Sequence, residues 1–148
     1  MPEPNDSSPR RFIVRRPLRF ADCDPAGIAF YPRLCGLIND LVEDWFRDGL
    51  DYGFPRLHGE LKRGIPIVWL AIDFTAPGRM GEEIAWSLSV REIGKSSVLL
   101  EIRAEPPAGK PMLVAEARLV HCDLATGTPV PLAFPEEVRA RMESFLIA

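Results

Sequence analysis

The sequence predicts an α+β domain: a five-stranded antiparallel sheet against one long helix, with a short helix near the C-terminal end. Three observations carry this. Between Pro32 and Asp48 apolar residues recur at the i, i+3, i+4 spacing of a helical stripe. Four strand-like segments follow, separated by Gly- and Pro-containing turns. One alternating segment, Arg11 to Phe20, precedes the helix. There is no internal repeat and no linker to divide the chain, so residues 10–148 read as one domain. Residues 1–9 are polar and rich in Pro and Ser, a loose tail without the apolar centre of a signal peptide.

In chain order, Phe12, Val14, Leu18 and Phe20 share one parity, and Pro17 marks an edge or a strand end. The arginines Arg15 and Arg19 read most simply as a solvated face, although they could meet phosphates. In the helix, Leu34, Leu37, Ile38, Leu41, Val42, Trp45 and Phe46 form the stripe. Pro32 suits its first turn and Gly49 its stop. Asn39, Asp40, Glu43, Asp44, Arg47 and Asp48 fill much of the opposite, solvated face. Asp51 to Gly64 is a connector in which His58 reads as a surface residue. Ile67 to Thr75 is almost continuously apolar, the pattern of a central strand covered on both faces, and Asp73 within it would then need a partner. Ile84 to Arg91 and Val98 to Ala104 alternate around a hairpin turn at Glu92–Lys95, and Met112 to Asp123 is the last strand. His121, near its end, reads as structure rather than catalyst. Pro135 to Leu146 is the terminal helix, with Val138, Met142 and Phe145 inward.

Composition excludes several classes. The 148 residues carry a net charge of −3, which leaves nucleic-acid binding without an electrostatic footprint. No apolar run approaches the roughly 18–20 residues of a membrane span. The three cysteines, Cys23, Cys35 and Cys122, have no metal-type spacing, and their odd number argues against a disulfide framework. The expectation is a cytoplasmic protein with free thiols, no metal and no cofactor.

Chemistry concentrates in Asp22-Cys23-Asp24-Pro25-Ala26-Gly27-Ile28, between the first strand and the long helix. Pro25 biases Asp24 toward an extended backbone, and Gly27 permits a tight turn. This puts an acid at a strand end, before the free N–H groups of a helix start, where an oxyanion can be held. Cys23 has no base beside it and is a poor nucleophile.

The same string, followed by Phe30, Tyr31 and Pro32, resembles the active-site segment of the 4-hydroxybenzoyl-CoA thioesterase family of hotdog-fold enzymes. The resemblance implies a hotdog fold, in which the sheet wraps the long helix, and an acyl-CoA thioesterase acting on an aromatic or medium acyl group. A thioesterase acting on carrier-protein esters and a non-catalytic acyl-CoA binder are the alternatives. It implies that Asp24 is the catalytic carboxylate and that the Tyr31 backbone N–H polarises the thioester carbonyl. Asp22 is read as structural. Substrate contacts are expected at Gly27, Lys95 and Ser96. Lys95 is either a phosphate contact or an ordinary solvated turn lysine. The family member specialised for 4-hydroxybenzoyl-CoA has a basic run at this turn, of which only Lys95 remains. Arg33 stands where close relatives often have Asn. CoA enters as part of the substrate. The resemblance also implies a homodimer or homotetramer, two subunits joining their sheets edge to edge.

A thiol leaving group, with a pKa of about 8.5, needs far less protonation than an amine, so no histidine is required beside the acid. Asp24 could attack the carbonyl directly or activate water as general base, and the residues do not choose between these.

Overall fold

The computed structural model describes residues 10–147; the predicted tail lies outside the described residues. Strand β1 (Phe12–Pro17) leads through a 3-10 turn at Phe20–Asp22 to helix α1 (Tyr31–Asp44), which continues as a π-helical turn, Trp45–Gly49. A second π-helical turn, Pro55–Glu60, precedes β2 (Arg63–Gly64). Then come β3 (Ile67–Phe74), β4 (Glu83–Ile93), β5 (Ser97–Glu105), β6 (Leu113–Val120), β7 (Cys122–Asp123), β8 (Val130–Pro131) and α2 (Glu136–Glu143). The main sheet is antiparallel in the order β1-β4-β5-β6-β3, as predicted in strand number.

The predicted stripe is what α1 buries: Leu34, Leu37, Ile38, Leu41 and Val42 are all inward, with Trp45 and Phe46 completing the contact in the π turn. Opposite them lie Ile84, Trp86, Leu88 and Val90 of β4 and Val98, Leu100 and Ile102 of β5. The π turn ends where Gly49 passes Trp45: a Cβ at Gly49 would sit 2.6 Å from the Trp45 ring. A bulge between Val90 and Glu92 interrupts the β4–β5 register. Val90 N–H donates to the Phe145 carbonyl, and the Val90 carbonyl accepts Ile147 N–H. The segment after α2 is thereby fastened to β4, with Val138, Met142 and Phe145 buried as expected.

Three expectations are corrected. β3 is an edge strand, not a central one. Val68, Trp69 and Phe74 are each about half exposed (55, 49 and 51%), because nothing among the described residues pairs with or covers the outer edge of β3. Asp73 is exposed there and needs no partner. The predicted last strand is two: β6 ends at Val120, His121 turns the chain, and β7 joins β2 and β8 in a second small sheet. The α-helix proper ends at Asp44, four residues short of the predicted last residue Asp48, because the backbone widens over Trp45–Gly49 into the π turn. β1 is the other edge, and Pro17 is its last residue.

Candidate active site

The Asp22–Tyr31 segment is held at both ends and at its middle. Phe30 N–H donates to the Asp22 carbonyl (2.9 Å), Asp24 N–H to the Ile28 carbonyl (2.9 Å) and Ala29 N–H to the Gly78 carbonyl (2.8 Å). Gly27 takes φ +75°, a left-handed value that glycine adopts without a steric penalty. Within this frame the Asp24 carboxylate closes its own turn: Oδ1 accepts N–H from Ala26 (2.9 Å) and from Ile28 (3.3 Å). Its second oxygen accepts nothing among the described residues. One oxygen is therefore oriented and the other free.

The helix start offers fewer donors than the sequence suggested. Arg33 and Leu34 N–H both return to the Phe30 carbonyl, and Pro32 has no N–H. Tyr31 N–H donates to no acceptor among the described residues. Asp24 and Tyr31 line one cavity of about 430 Å³, walled by Ile28, Leu34, Phe74 and Met112. The Tyr31 and Phe74 rings meet edge to face at 6.3 Å, so the Tyr31 side chain is a wall of this cavity. Phe74 and Met112 carried no signal in the sequence, since an apolar strand residue reads the same whether it faces the core or a cavity.

The neighbouring acid has a different environment. Asp22 is 5% exposed; it accepts Arg19 N–H at Oδ2 (2.9 Å) and Arg33 Nε at Oδ1 (2.8 Å). Burial by itself pushes its carboxyl up, but the Arg33 hydrogen bond, the Arg19 N–H and the two guanidinium charges outweigh it, and the net shift is downward. Asp22 is expected to be structural by holding the turn; the turn is instead closed by Asp24, and Asp22 anchors the helix start through Arg33, a role the sequence did not suggest. Burial, with Asp22 and Asp24 adding charge, pushes the Cys23 thiol up, which suppresses a thiolate.

The other predicted contacts are not gathered here. Gly27 shapes the turn without lining the cavity. Lys95 and Ser96 lie between β4 and β5, at the opposite end of the sheet; Lys95 is exposed, and the Ser96 carbonyl accepts His121 N–H (2.7 Å). His58 is exposed, with its ring against Phe54.

His121 is fully buried and structural. Its Nδ1–H donates to the Leu132 carbonyl (2.7 Å), its Nε2 accepts from Tyr52 Oη (2.9 Å), and Arg63 Nη1 donates to that same phenol oxygen (3.0 Å). Burial pushes its imidazole below the ordinary value, partly opposed by the Leu132 carbonyl. The unfolded chain therefore takes up this proton first as pH falls. Its contribution to stability is complete above about pH 6.5 and is lost as pH drops from there through the folded value. The expected result is that the stability gap between wild type and His121→Gln narrows from pH 8 to pH 5 in thermal melts. A gap independent of pH would place the stabilisation elsewhere.

These are parts with which a protein can open a thioester without a histidine, and the sheet-wrapped helix that carries them is the hotdog fold. The class is that of the hotdog-fold thioester hydrolases. The chain belongs to the Thioesterase-like superfamily, whose sequence pattern matches residues 18–142. It is similar to a 1,4-dihydroxy-2-naphthoyl-CoA hydrolase of Prochlorococcus marinus, 26% identical over 140 residues, covering 89% of each chain. Its fold is that of a gentisyl-coenzyme A thioesterase (TM-score 0.76, 24% identity, covering 88% of this chain and 99% of the other). It is also that of the 4-hydroxybenzoyl-CoA thioesterase of Pseudomonas sp. strain CBS-3 (TM-score 0.78, 18% identity, covering 89% and 99%). No helix among the described residues is long and apolar enough to cross a membrane.

Proposed function

We propose that this protein hydrolyses aromatic acyl-CoA thioesters to the free acid and CoA. The observation that carries the reading is the pairing of a free Asp24 oxygen and a free Tyr31 N–H on one apolar cavity. The Tyr31 and Phe74 rings suit a flat acyl group, and the similar proteins named above act on dihydroxynaphthoyl, gentisyl and hydroxybenzoyl thioesters. The thioester carbonyl oxygen accepts from Tyr31 N–H, which stabilises negative charge as the carbon is attacked. Asp24 acts from its free oxygen, either adding to the carbonyl or taking a proton from the attacking water. CoA leaves as thiolate. After direct attack, water hydrolyses the mixed anhydride at the Asp24 carboxyl or at the acyl carbon. Unlabelled product acid with labelled Asp24 after a single turnover in isotopically labelled water marks the direct route with the first opening, and trapping of the anhydride by hydroxylamine marks it with the second; label in the product without a trappable anhydride marks general-base catalysis.

The test of function is thiol release across benzoyl-, hydroxybenzoyl- and straight-chain acyl-CoA esters. Turnover fastest with the aromatic esters supports the proposal. Turnover only with carrier-protein esters, or tight acyl-CoA binding without turnover, would transfer the site to one of the alternatives.

The reading includes a dimer formed through β3. β1 ends in Pro17 and carries Arg15 and Arg16, features that discourage edge pairing, whereas the β3 edge is long and apolar. Two β3 strands paired antiparallel would bring the partner's Ile67 end beside Phe74. Only across such an interface could Lys95 and Ser96 approach an ester held at Asp24. Leu70→Lys is expected to yield monomers with little activity by sedimentation and thiol release. A fully active wild-type monomer at micromolar concentration would defeat the dimer.

A further inference from the structure

Beside the Asp24 cavity, on the other side of the first turn of α1, lies a second cleft of about 400 Å³. Four arginines line it, Arg15, Arg16, Arg19 and Arg33, against two carboxylates, Asp22 and Asp40. The pairing within it is uneven. Arg16 is held by Asp44, with Asp40 at 3.9 Å. Arg33 gives its Nε to Asp22, and its two terminal nitrogens meet no acceptor among the described residues. Arg15 and Arg19 have no ion-pair partner among the described residues, and both are exposed. Asp22, which accepts Arg33 Nε at one oxygen and Arg19 N–H at the other, holds the Arg33 fork in place. Two free guanidinium groups and a third with an open, oriented edge form a receptor for a phosphate or diphosphate, which guanidinium binds in bidentate fashion.

We infer that this cleft holds the diphosphate of the CoA substrate; the inference rests on the acyl-CoA reading above. Reach supports it. The pantetheine arm between sulfur and diphosphate has about thirteen bonds, a little over four extended residues, or roughly 14–15 Å. Arg33 is two residues from Tyr31 on the same helical turn, and Asp22, which Arg33 and Arg19 both contact, is two residues from Asp24. An ester seated at Asp24 and Tyr31 can therefore extend its arm past the helix start into the arginine cleft. The turn bearing Lys95 fails this test within one chain. The eleven residues of β4 separate it from the Asp24 end of the sheet, roughly 33 Å of strand.

The test compares wild type, the double variant Arg15→Ala/Arg19→Ala, and Lys95→Ala on benzoyl-CoA and on benzoyl-N-acetylcysteamine, which lacks the phosphates. Calorimetric titration with CoA and with pantetheine runs alongside. The double variant is expected to raise KM for benzoyl-CoA and Kd for CoA about tenfold, as for loss of charge-assisted hydrogen bonds. Its KM for the truncated ester should remain at the wild-type value. An unchanged KM for benzoyl-CoA overturns the inference, as does an equal rise on both esters or a rise confined to Lys95→Ala. If wild type hydrolyses neither ester, the functional reading fails by itself and the titrations decide the cleft. Preference for CoA over pantetheine, lost in the double variant, supports it, and equal affinity for the two overturns it.

Discussion

Asp24→Asn lowers kcat by about 10²–10⁴, roughly 3–5 kcal/mol of barrier, and leaves the melting temperature close to wild type. The two halves of this expectation come from the two oxygens of one carboxylate. Oδ1 closes the turn by accepting Ala26 and Ile28 N–H, and an asparagine carbonyl accepts the same two bonds. The turn, the helix start and the cavity wall therefore survive the change. The free oxygen becomes an amide nitrogen, which can neither add to a carbonyl nor take a proton from water. The cavity walls that seat the acyl group are untouched, so substrate Kd should change little. Kinetics, equilibrium binding and a melt on the same preparation decide the matter. Turnover within tenfold of wild type would remove Asp24 from the chemistry, and a large fall in melting temperature would show that the turn depends on charge.

Asp22→Asn produces the opposite signature: a loss of about 1–3 kcal/mol of stability and a smaller loss of turnover. For a chain of this length that is roughly 2–12 °C in melting temperature. The carboxylate is buried and joins two segments, through Arg19 N–H and Arg33 Nε, while the Phe30 N–H bond to the Asp22 main-chain carbonyl is kept in the variant. An amide keeps one acceptor oxygen but offers Arg33 or Arg19 a donor in place of the other. Because the folded-state pKa is lowered, the contribution of Asp22 is complete above its ordinary value of 3.8 and is lost only as pH falls through the lower folded value. Wild type and variant should therefore differ by a constant amount from neutral pH to about pH 5 and converge only in stronger acid. If Asp22→Asn abolishes turnover while melting like wild type, the assignment of the two acids is reversed.

Local physics made the helix and the acid motif legible. The stripe from Leu34 to Phe46 can be buried only by a surface on one side, and the structure puts β4 and β5 there. Pro25 and Gly27 dictate a turn whatever surrounds them, so Asp24 could be placed at a turn before the long helix; the strand end expected there lies earlier, since β1 stops at Pro17 and a 3-10 turn intervenes. The alternation in β4 and β5 likewise identified the residues that face the helix.

Other features depend on neighbours that sequence proximity does not supply. The apolar run of β3 was read as a central strand because apolar residues on both faces ordinarily mean cover on both faces. Its place at the sheet edge follows from β6 pairing with both β5 and β3, a contact across some forty residues of chain. Arg33 looked like a departure from a pattern until Asp22, eleven residues earlier, was found 2.8 Å from its Nε. The sequence by itself determined the long helix, the five strands of the main sheet and the turn at Asp24, because those follow from periodicity and backbone restriction over a few residues. Only the tertiary structure decided that the two aspartates have different environments, that Lys95 lies at the opposite end of the sheet, and that Tyr31 keeps a free N–H on the cavity. Each of these is set by which distant group occupies the adjoining space, and burial and hydrogen-bond competition are properties of that space rather than of the residue.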